Sequence, residues 1–518
     1  MTRIQILEKQ NKDLRVRNEN LQVKMELCER AAPIGMLQKH IAGLETEIRD
    51  LNIEKDTLKK ENAILAATVE KLKMYVQKLL GRIKKDSSSS NKPSSTDIFR
   101  KPKPQSLREK SGKKPGGQPG HPGHGLKLFD NPDVVIDRKI HTCGKCGCEV
   151  ENSPDYEARQ RVDIEIRTVV VEERVYEGIC AHCGKKVRGS FSEGFVNPVQ
   201  YGENLKAAVA VISEHGCVSV GKTAELINGF SGGKLNLSWG TIINIQRELS
   251  NRLDETINMI RAGLIAGSLL SADETGCRVS GSLRWIQLFC NDRFALFGMN
   301  EKRGDIDDNF GILTFFLGIL VHDHFSSYYK FENVSHAECN EHILRYLKNL
   351  IEIFKHGWLT EMSKLLKDAC HAKNELVTAG MKEMPLDMIT GFRGMYEHIL
   401  TEGRKEYEAA TSGNRRKEAY YADERRLLDR LAEYEEQHLL FLTDFRAPFT
   451  NNMAEQDIRK YKTKTRVMGC FRSAEGARIY ARIVSLITTL KKQNLNVYAG
   501  IRDVFYGRIP ISSACKQL

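Results

Sequence analysis

The chain contains 518 residues, of which 41% are hydrophobic, and its formal net charge is +12. This length excludes a single small module and allows roughly three or four domains with at least one sizeable core. The excess of Lys and Arg favours polyanionic partners such as nucleic acid, because clustered cations displace the counterions condensed there. A basic soluble protein without such a partner is the alternative on charge alone.

The compartment follows from the N-terminal sequence, the hydropathy and the cysteines. The opening "MTRIQILEKQ" is too charged for a signal peptide, and no apolar run approaches the roughly 20 residues that a membrane span needs. Thirteen cysteines argue against a disulfide framework and for free thiols together with a metal cluster. We therefore expect a cytoplasmic protein, associated with the bacterial nucleoid, that has no membrane partner.

Heptad repeats predict a coiled coil over residues 1–85. Six leucines recur at intervals of seven in the second run, and asparagines occupy seam positions in both runs. A buried seam Asn costs stability but fixes register and strand number, which favours a parallel homodimer. One long helix that folds back on its own domain is the alternative. The six leucines are Leu44, Leu51, Leu58, Leu65, Leu72 and Leu79.

Residues 86–130 have the composition of a basic, disordered linker. The stretches "SSSSNKPSSTD" and "KKPGGQPGHPGHG" are rich in Ser, Pro and Gly and cannot bury enough apolar surface to order themselves. Their excess of Lys and Arg suits a phosphate backbone. A solvated tether is the alternative.

Two Cys-x-x-Cys pairs predict a zinc ribbon over residues 131–195. Cys143 and Cys146 form the first pair, and Cys180 and Cys183 form the second, so that one structural Zn²⁺ would have four thiolate ligands. Between the pairs, "RVDIEIRTVVVEERVYEG" alternates apolar and charged residues as a hairpin strand does. Alternative ligands are Cys148, His141 and His182.

Residues 200–262 contain a short motif with two interpretations. "GCVSVGKT" over residues 216–223 matches the spacing of a phosphate-binding loop, which requires a preceding strand and would indicate an ATPase. The upstream "NLKAAVAVISEHG" instead has the periodicity of a helix. With a helix there, the region is predicted to be a helical, helix-turn-helix-like DNA-binding region, or an ordinary helical pair.

Three acids in the C-terminal half are candidates for a metal site. Asp273 ends the apolar strand "SLLSADET", and Asp323 ends "LGILVHD", with two further strands, "LRWIQLFC" and "RFALFGM", between them. Carboxylates at strand ends suggest a shared metal site, although a strand-end or turn Asp is the ordinary alternative. Glu455 lies on a helix that Thr450 or Asn451 can cap.

A basic strip follows Glu455 and is predicted to contact DNA phosphates. An ordinary solvated basic helix is the alternative. The strip consists of Arg459, Lys460, Lys462, Lys464, Arg466 and Arg472.

The charged, helical stretch over residues 336–445 is predicted to be an all-α insertion between the two parts of the core. We place the first part of the core at residues 263–335 and the second part, with the Glu helix, at residues 446–495. The C-terminal tail covers residues 496–518.

Several motifs in one order resemble the transposases of the insertion sequence 66 family. They are "DET" after a strand, the pair Arg303 and Gly304, Asp323 followed by "SSYY", "CNEH", and "NNMAEQDIR", preceded by the leucine zipper, "GGQPGHPG" and the double Cys-x-x-Cys segment. The resemblance covers residues 1–500 approximately. It implies an acidic-triad enzyme with a ribonuclease-H-like fold in which Asp273, Asp323 and Glu455 bind metal.

The resemblance further implies a mechanism and partners. Two Mg²⁺ or Mn²⁺ ions would support cleavage of DNA at the element ends and strand transfer into target DNA, with accessory proteins of the same element as partners. The predicted fold class is a multidomain α+β protein with a coiled coil, a zinc ribbon, a helical DNA-binding region and a ribonuclease-H-like α/β core with an all-α insertion. The alternatives are a zinc-ribbon, coiled-coil DNA-binding regulator or inactive relic and, less favoured, a phosphate-loop ATPase.

Overall fold

The computed structural model describes residues 3–28, 34–84 and 127–512. Most of the predicted basic linker, residues 86–126, lies outside the described residues. Among the described residues, none of the helices combines the length and the apolar composition that a bilayer crossing requires.

The N-terminal heptads form two helices, α1 (Arg3–Cys28) and α2 (Ile34–Lys84), that pack together. Because only residues 29–33 separate them in sequence, the two helices run antiparallel. Seam leucines form the contact, as Leu21 packs in one buried cluster with Leu44 and Leu51. The structure thus pairs these leucines within one chain, whereas the heptads predicted a parallel homodimer.

Residues 127–202 contain little regular structure. A short antiparallel hairpin of β1 (Glu177–Ile179) and β2 (Lys186–Arg188) flanks the second cysteine pair. The predicted strand between the cysteine pairs does not form over residues 161–176, where Val162, Ile164 and Ile166 are exposed. An alternating pattern alone does not make a strand, because its backbone groups also need a partner strand.

Four helices precede the large sheet, as the helical prediction for this region required. They are α3 (Glu203–Ala210), which continues into a π-helical turn at Val211–His215, α4 (Val220–Phe230), α5 (Trp239–Asn251) and α6 (Asp254–Ile265). Ser219 and Ser238 begin α4 and α5 by accepting the N–H groups of Lys222 and Thr241.

The sheet has five strands: β3 (Leu269–Val279), β4 (Ser282–Cys290), β5 (Ala295–Asn300), β6 (Ile319–His322) and β7 (Ser335–Glu338). Their order is β5-β4-β3-β6-β7. The first three are antiparallel, and β6 and β7 lie parallel to β3 and to each other. Four strands match the sequence prediction, and β7 was missed because "SHAE" is short and polar.

Six helices then cover residues 340–443, within the stretch predicted to be all-helical, whose first residues belong to β7 instead. They are α7 (Asn340–Phe354), α8 (Gly357–Thr378), α9 (Leu386–Thr411), α10 (Arg415–Tyr420), α11 (Ala422–Glu433) and α12 (Glu435–Thr443). Buried side chains of these helices share one cluster with Ile319, Val321 and Ala337 of the sheet. The helices therefore pack directly on the edge of the sheet that β6 and β7 form.

The last three helices complete the core: α13 (Asn452–Met468), α14 (Ala474–Lys492) and α15 (Val497–Phe505). Helix α13 packs on β3 and β4, and α14 packs on β5. The segment predicted as a C-terminal tail includes α15, whose Ile501, Val504 and Phe505 are buried in the main core. The described part of the chain is a mixed α/β protein with one large mixed sheet of five strands.

Candidate active site

The two predicted aspartates lie on neighbouring strands, but only Asp323 is at a strand end. Asp273 lies in the middle of β3, because that strand continues to Val279 through its pairing with β4. β3 and β6 are parallel, with Leu269 opposite Ile319 and Ser271 opposite Val321. The parallel pairing ends there, two residues before Asp273 and Asp323, and the charge of Asp273 is close enough to raise the pKa of Asp323. Both aspartates thus lie just beyond the end of the β3–β6 pairing.

The third predicted acid reaches the same end of the sheet on α13. Asn451, which begins this helix, donates its side-chain Nδ2–H to the carbonyl of Ala272 over 2.7 Å. That bond fixes the first turn of α13 against the residue before Asp273. Glu455 follows one turn later, and its charge is close enough to raise the pKa of Asp273.

The acids raise one another's pKa in a partly buried setting. Burial and the charge of Glu274 raise the pKa of Asp273 to about 7, while Lys462 opposes this. Burial, Glu274 and Asp273 also raise the pKa of Asp323 well above its usual value. Oδ1 of Asp323 is buried and has no hydrogen-bond partner. Clustered carboxylates with unused lone pairs favour a bound cation.

A buried network of hydrogen bonds lies behind the aspartates. Local sequence patterns did not predict it. Arg303 donates from Nε and Nη2 to Oε1 of Glu274 over 2.9 and 2.5 Å, and its Nη2 lies 3.6 Å from Oδ2 of Asp323. The hydroxyl of Tyr328 donates to Oε2 of Glu274 over 2.9 Å. Arg303 therefore links two acids and offsets part of their repulsion. Only the motif order quoted for the resemblance pointed to Arg303 and Tyr328.

The predicted basic strip divides between two sides of α13. Positions 455, 459, 462 and 466 fall on one helical face, so Arg459, Lys462 and Arg466 continue the face of Glu455. Arg459 and Arg466 are exposed, as is Arg472 beyond the helix. Lys462 is half-buried, and Asp273 and Glu455 both act on its pKa.

Lys464 faces the interior instead. It is buried, and its Nζ donates to the carbonyl of Ser213 over 2.6 Å and lies 3.3 Å from Glu214. Lys460 is also engaged, with Asp457 at 2.8 Å, and the buried Asp457 pairs in addition with Lys492. Helical periodicity explains the burial of Lys464, because positions 457, 461 and 464 form the face of α13 that packs on the core.

The phosphate-loop spacing over residues 216–223 has a different structural meaning. α3 and its π-helical turn precede it, so the strand that such a loop needs is replaced by a helix. The hydroxyl of Thr223 is buried and donates to the carbonyl of Ser219 over 3.0 Å. The Thr side chain is therefore engaged in starting α4 rather than exposed for a magnesium ion.

Each cysteine pair forms the same local turn. The N–H of Gly147 donates to the carbonyl of Cys143, and that of Gly184 donates to the carbonyl of Cys180, with both glycines at positive φ. Backbone N–H groups lower the pKa of the Cys143 and Cys180 thiols. Lowered thiol pKa values suit thiolate ligands. In the part of the chain that the structure describes, no three of the four sulfurs lie within 4.8 Å of one another.

A different group of metal-ligating side chains surrounds Glu455. Ligand atoms of Cys339, His342 and Glu455 all lie within 4.8 Å of one another. Asp273 and Asp323 are not part of this group. The sequence prediction named Glu455 but assigned no role to Cys339 or His342, which appeared only within the quoted "CNEH".

Comparison with known families matches two parts of the chain. The family model described as Transposase IS66 family matches residues 199–479, which is more than half of the chain and includes all three acids. A family of unknown function (DUF6444) matches residues 8–127. No curated protein matches the chain.

Proposed function

This chain belongs to the IS66 family of transposases, and from that premise we propose that it cuts and joins DNA with a DDE carboxylate triad. The observation that supports the proposal is the proximity of Asp273 and Asp323, since β3 and β6 pair up to two residues before them and the charge of Asp273 raises the pKa of Asp323. Helix α13 brings Glu455 to the same end of the sheet. Transposases cleave DNA strands and transfer them, so DNA is the substrate that we expect for this triad.

Asp273, Asp323 and Glu455 would hold the divalent cations, Mg²⁺ or Mn²⁺. The fit is supported by the buried, unpartnered Oδ1 of Asp323 and by the raised pKa values of both aspartates. When bound, two such ions would stabilise the attacking and leaving oxygens of a phosphodiester.

The remaining residues of the site would orient the acids and bind DNA phosphates. Arg303 holds Glu274 and Asp323 through its planar guanidinium, which keeps these acids from moving apart. The face of α13 that begins at Glu455 continues with Arg459, Lys462 and Arg466, which would receive the phosphates next to the cleaved bond. The buried Lys464 is left out of this DNA surface.

We also infer a ribonuclease-H-like core. Three antiparallel strands followed by two parallel ones, with the acids on the central pair and helices on both faces, support that class. Structural Zn²⁺ on Cys143, Cys146, Cys180 and Cys183, a homodimer through the heptads, accessory proteins of the element and a cytoplasmic location complete the proposal.

Strand cleavage on DNA that carries the element ends tests the proposal. The full chain should nick this DNA with Mg²⁺ and not with excess EDTA, and Asp273→Asn and Asp323→Asn should abolish nicking while DNA binding persists. A chain that binds the ends but never cuts them with Mg²⁺ or Mn²⁺ would instead be a DNA-binding regulator.

A further inference from the structure

We propose that Cys339, His342 and Glu455 form a second cation-binding site, which shares Glu455 with the proposed triad and takes one thiophilic divalent cation of the zinc class. The ligand atoms lie within 4.8 Å of one another. Ligands at Zn–S and Zn–N bond lengths sit roughly 3.3–3.8 Å apart in a tetrahedral site, so small side-chain movements close the group on one ion. The proposal does not depend on strand cleavage.

The backbone holds the sulfur and the imidazole in place. Cys339 follows β7 directly, and its N–H donates to the carbonyl of His322 over 3.0 Å. His342 lies three residues later in the first turn of α7, on the same face, and its N–H donates to the carbonyl of Cys339. A strand end and the helix that follows it therefore fix two of the three ligands.

The third ligand, Glu455, lies on a segment that is hydrogen-bonded to the first ligand, Cys339. The N–H of Asn451 points at Sγ of Cys339 over 3.2 Å, and Asn451 begins the helix that carries Glu455. An N–H group directed at sulfur stabilises a thiolate, as it does in many metal sites. The two segments are more than one hundred residues apart in sequence and meet at this sulfur.

The imidazole is the observation that points to a ligand. Nδ1 of His342 is buried and has no hydrogen-bond partner. A buried ring nitrogen without a partner is costly unless something coordinates it. Burial also lowers the pKa of His342 to about 3, which keeps the ring neutral and its lone pair available.

The ligand set selects the class of cation. A thiol sulfur and an imidazole nitrogen are ligands of zinc and related ions, whereas magnesium prefers oxygen. Cys339 is fully buried, and burial raises the pKa of its thiol to about 12, so the cation must displace the thiol proton into solvent. Three protein ligands leave the fourth position of a tetrahedral ion open.

Cobalt titration tests the site without any activity assay. In the full chain with serine at the four ribbon positions (Cys143→Ser, Cys146→Ser, Cys180→Ser and Cys183→Ser), one equivalent of Co²⁺ should produce a thiolate-to-cobalt charge-transfer band. Excess Zn²⁺ should bleach this band, and excess Mg²⁺ should not.

Two variants in that background locate the ligands. Cys339→Ser should abolish the band, and His342→Gln should raise the Kd for Co²⁺ by roughly tenfold or more. The matched control Cys370→Ser, at a half-buried cysteine of α8, should leave the band unchanged. No band in the parent chain, or an undiminished band in both Cys339→Ser and His342→Gln, would overturn the proposal.

Discussion

At the scale of single residues, Arg303 is the cation on which the acidic end of the sheet depends most. Its guanidinium forms two hydrogen bonds to Glu274, which is 2% exposed, and approaches Asp323. Without this cation, Glu274 would be a buried charge beside two further acids. Such uncompensated burial is among the largest costs that a single substitution can cause.

We therefore predict that Arg303→Met lowers the free energy of unfolding by on the order of 3 kcal/mol. The measurement is urea unfolding, with Arg404→Met, at an exposed position of α9, as the matched control. Adding Glu274→Gln should restore most of the loss, because it removes the unpaired charge. A double variant as unstable as Arg303→Met alone would show that packing, rather than charge, explains the effect.

At the scale of secondary-structure elements, a buried carboxylate joins the helical stretch to the sheet. Glu338 ends β7 and accepts hydrogen bonds from Arg430 of α11, and from His438 of α12 over 3.0 Å. Burial alone would raise the pKa of Glu338, but His438, His324 and Arg430 together hold it well below its usual value. The helices are thus fixed to the strand next to Asp323 by a charged contact within an apolar interface.

Removing the cation of that contact should be costly. We expect Arg430→Met to destabilise the protein by about 3–5 kcal/mol, because it leaves Glu338 buried with less compensation. Arg425→Met, at an exposed arginine of the same helix, should change stability by less than about 0.5 kcal/mol. Thermal unfolding followed by circular dichroism distinguishes the two, and equal melting temperatures would contradict the role given to Arg430.

Buried histidines predict the acid sensitivity of the fold. Burial lowers the pKa of His438 below 6.5, and it lowers that of His322 to about 4. As the pH falls through about 6.5, the unfolded chain binds protons that the folded chain does not, so the free energy of unfolding decreases. Glu338 stays ionised in this range, because its pKa is lowered.

The raised pKa values of Asp273 and Asp323 act in the opposite direction over this range, so the test is a comparison of variants. Between about pH 6.5 and pH 4.5, the melting temperature of His438→Gln should change with pH less unfavourably than that of the unmodified chain. The His371→Gln variant, at an exposed histidine of α8, should leave this pH dependence unchanged. The same pH dependence in His438→Gln and in the unmodified chain would contradict the assignment of a neutral, buried His438.

Local sequence patterns predicted some secondary-structure elements and missed others. Apolar runs identified β3, β4, β5 and β6, and the 3.6-residue period identified the helix that carries Glu455, because these signals are local. The strand β7 is short and polar, and it exists because β6 offers it hydrogen bonds. The same limit applies to the site, since Arg303 and His342 gain their roles from residues that are distant in sequence.

At the scale of the whole molecule, the N-terminal hairpin leaves half of its longer helix without a packing partner among the residues that the structure describes. α1 has 26 residues and α2 has 51, so at about 1.5 Å per residue α1 covers roughly half of α2. Beyond that point Leu65 is only half-buried and Leu72 is 58% exposed, although both continue the heptad seam. The proposed homodimer would use this half.

We predict that Leu65→Asp with Leu72→Asp converts the dimer to a monomer, because charges at seam positions prevent burial between helices. Ile53→Asp with Ile64→Asp, at exposed positions off the seam, is the control and should remain dimeric. Light scattering measures the mass. A dimer that survives the seam substitutions would place the interface elsewhere.

The central claim is that Glu455 completes a triad with Asp273 and Asp323, and strand cleavage by Glu455→Gln tests it most directly. The amide keeps the side-chain volume but removes a charge, so Mg²⁺-dependent cleavage should fall by roughly a thousandfold or more while DNA binding persists. Asp457→Asn is not a suitable control, because Asp457 is buried and paired with Lys460 and Lys492. The matched control is Glu361→Gln, at an exposed position of α8, which should cleave at the unmodified rate. If Glu455→Gln cleaves as fast as Glu361→Gln, the triad assignment is wrong.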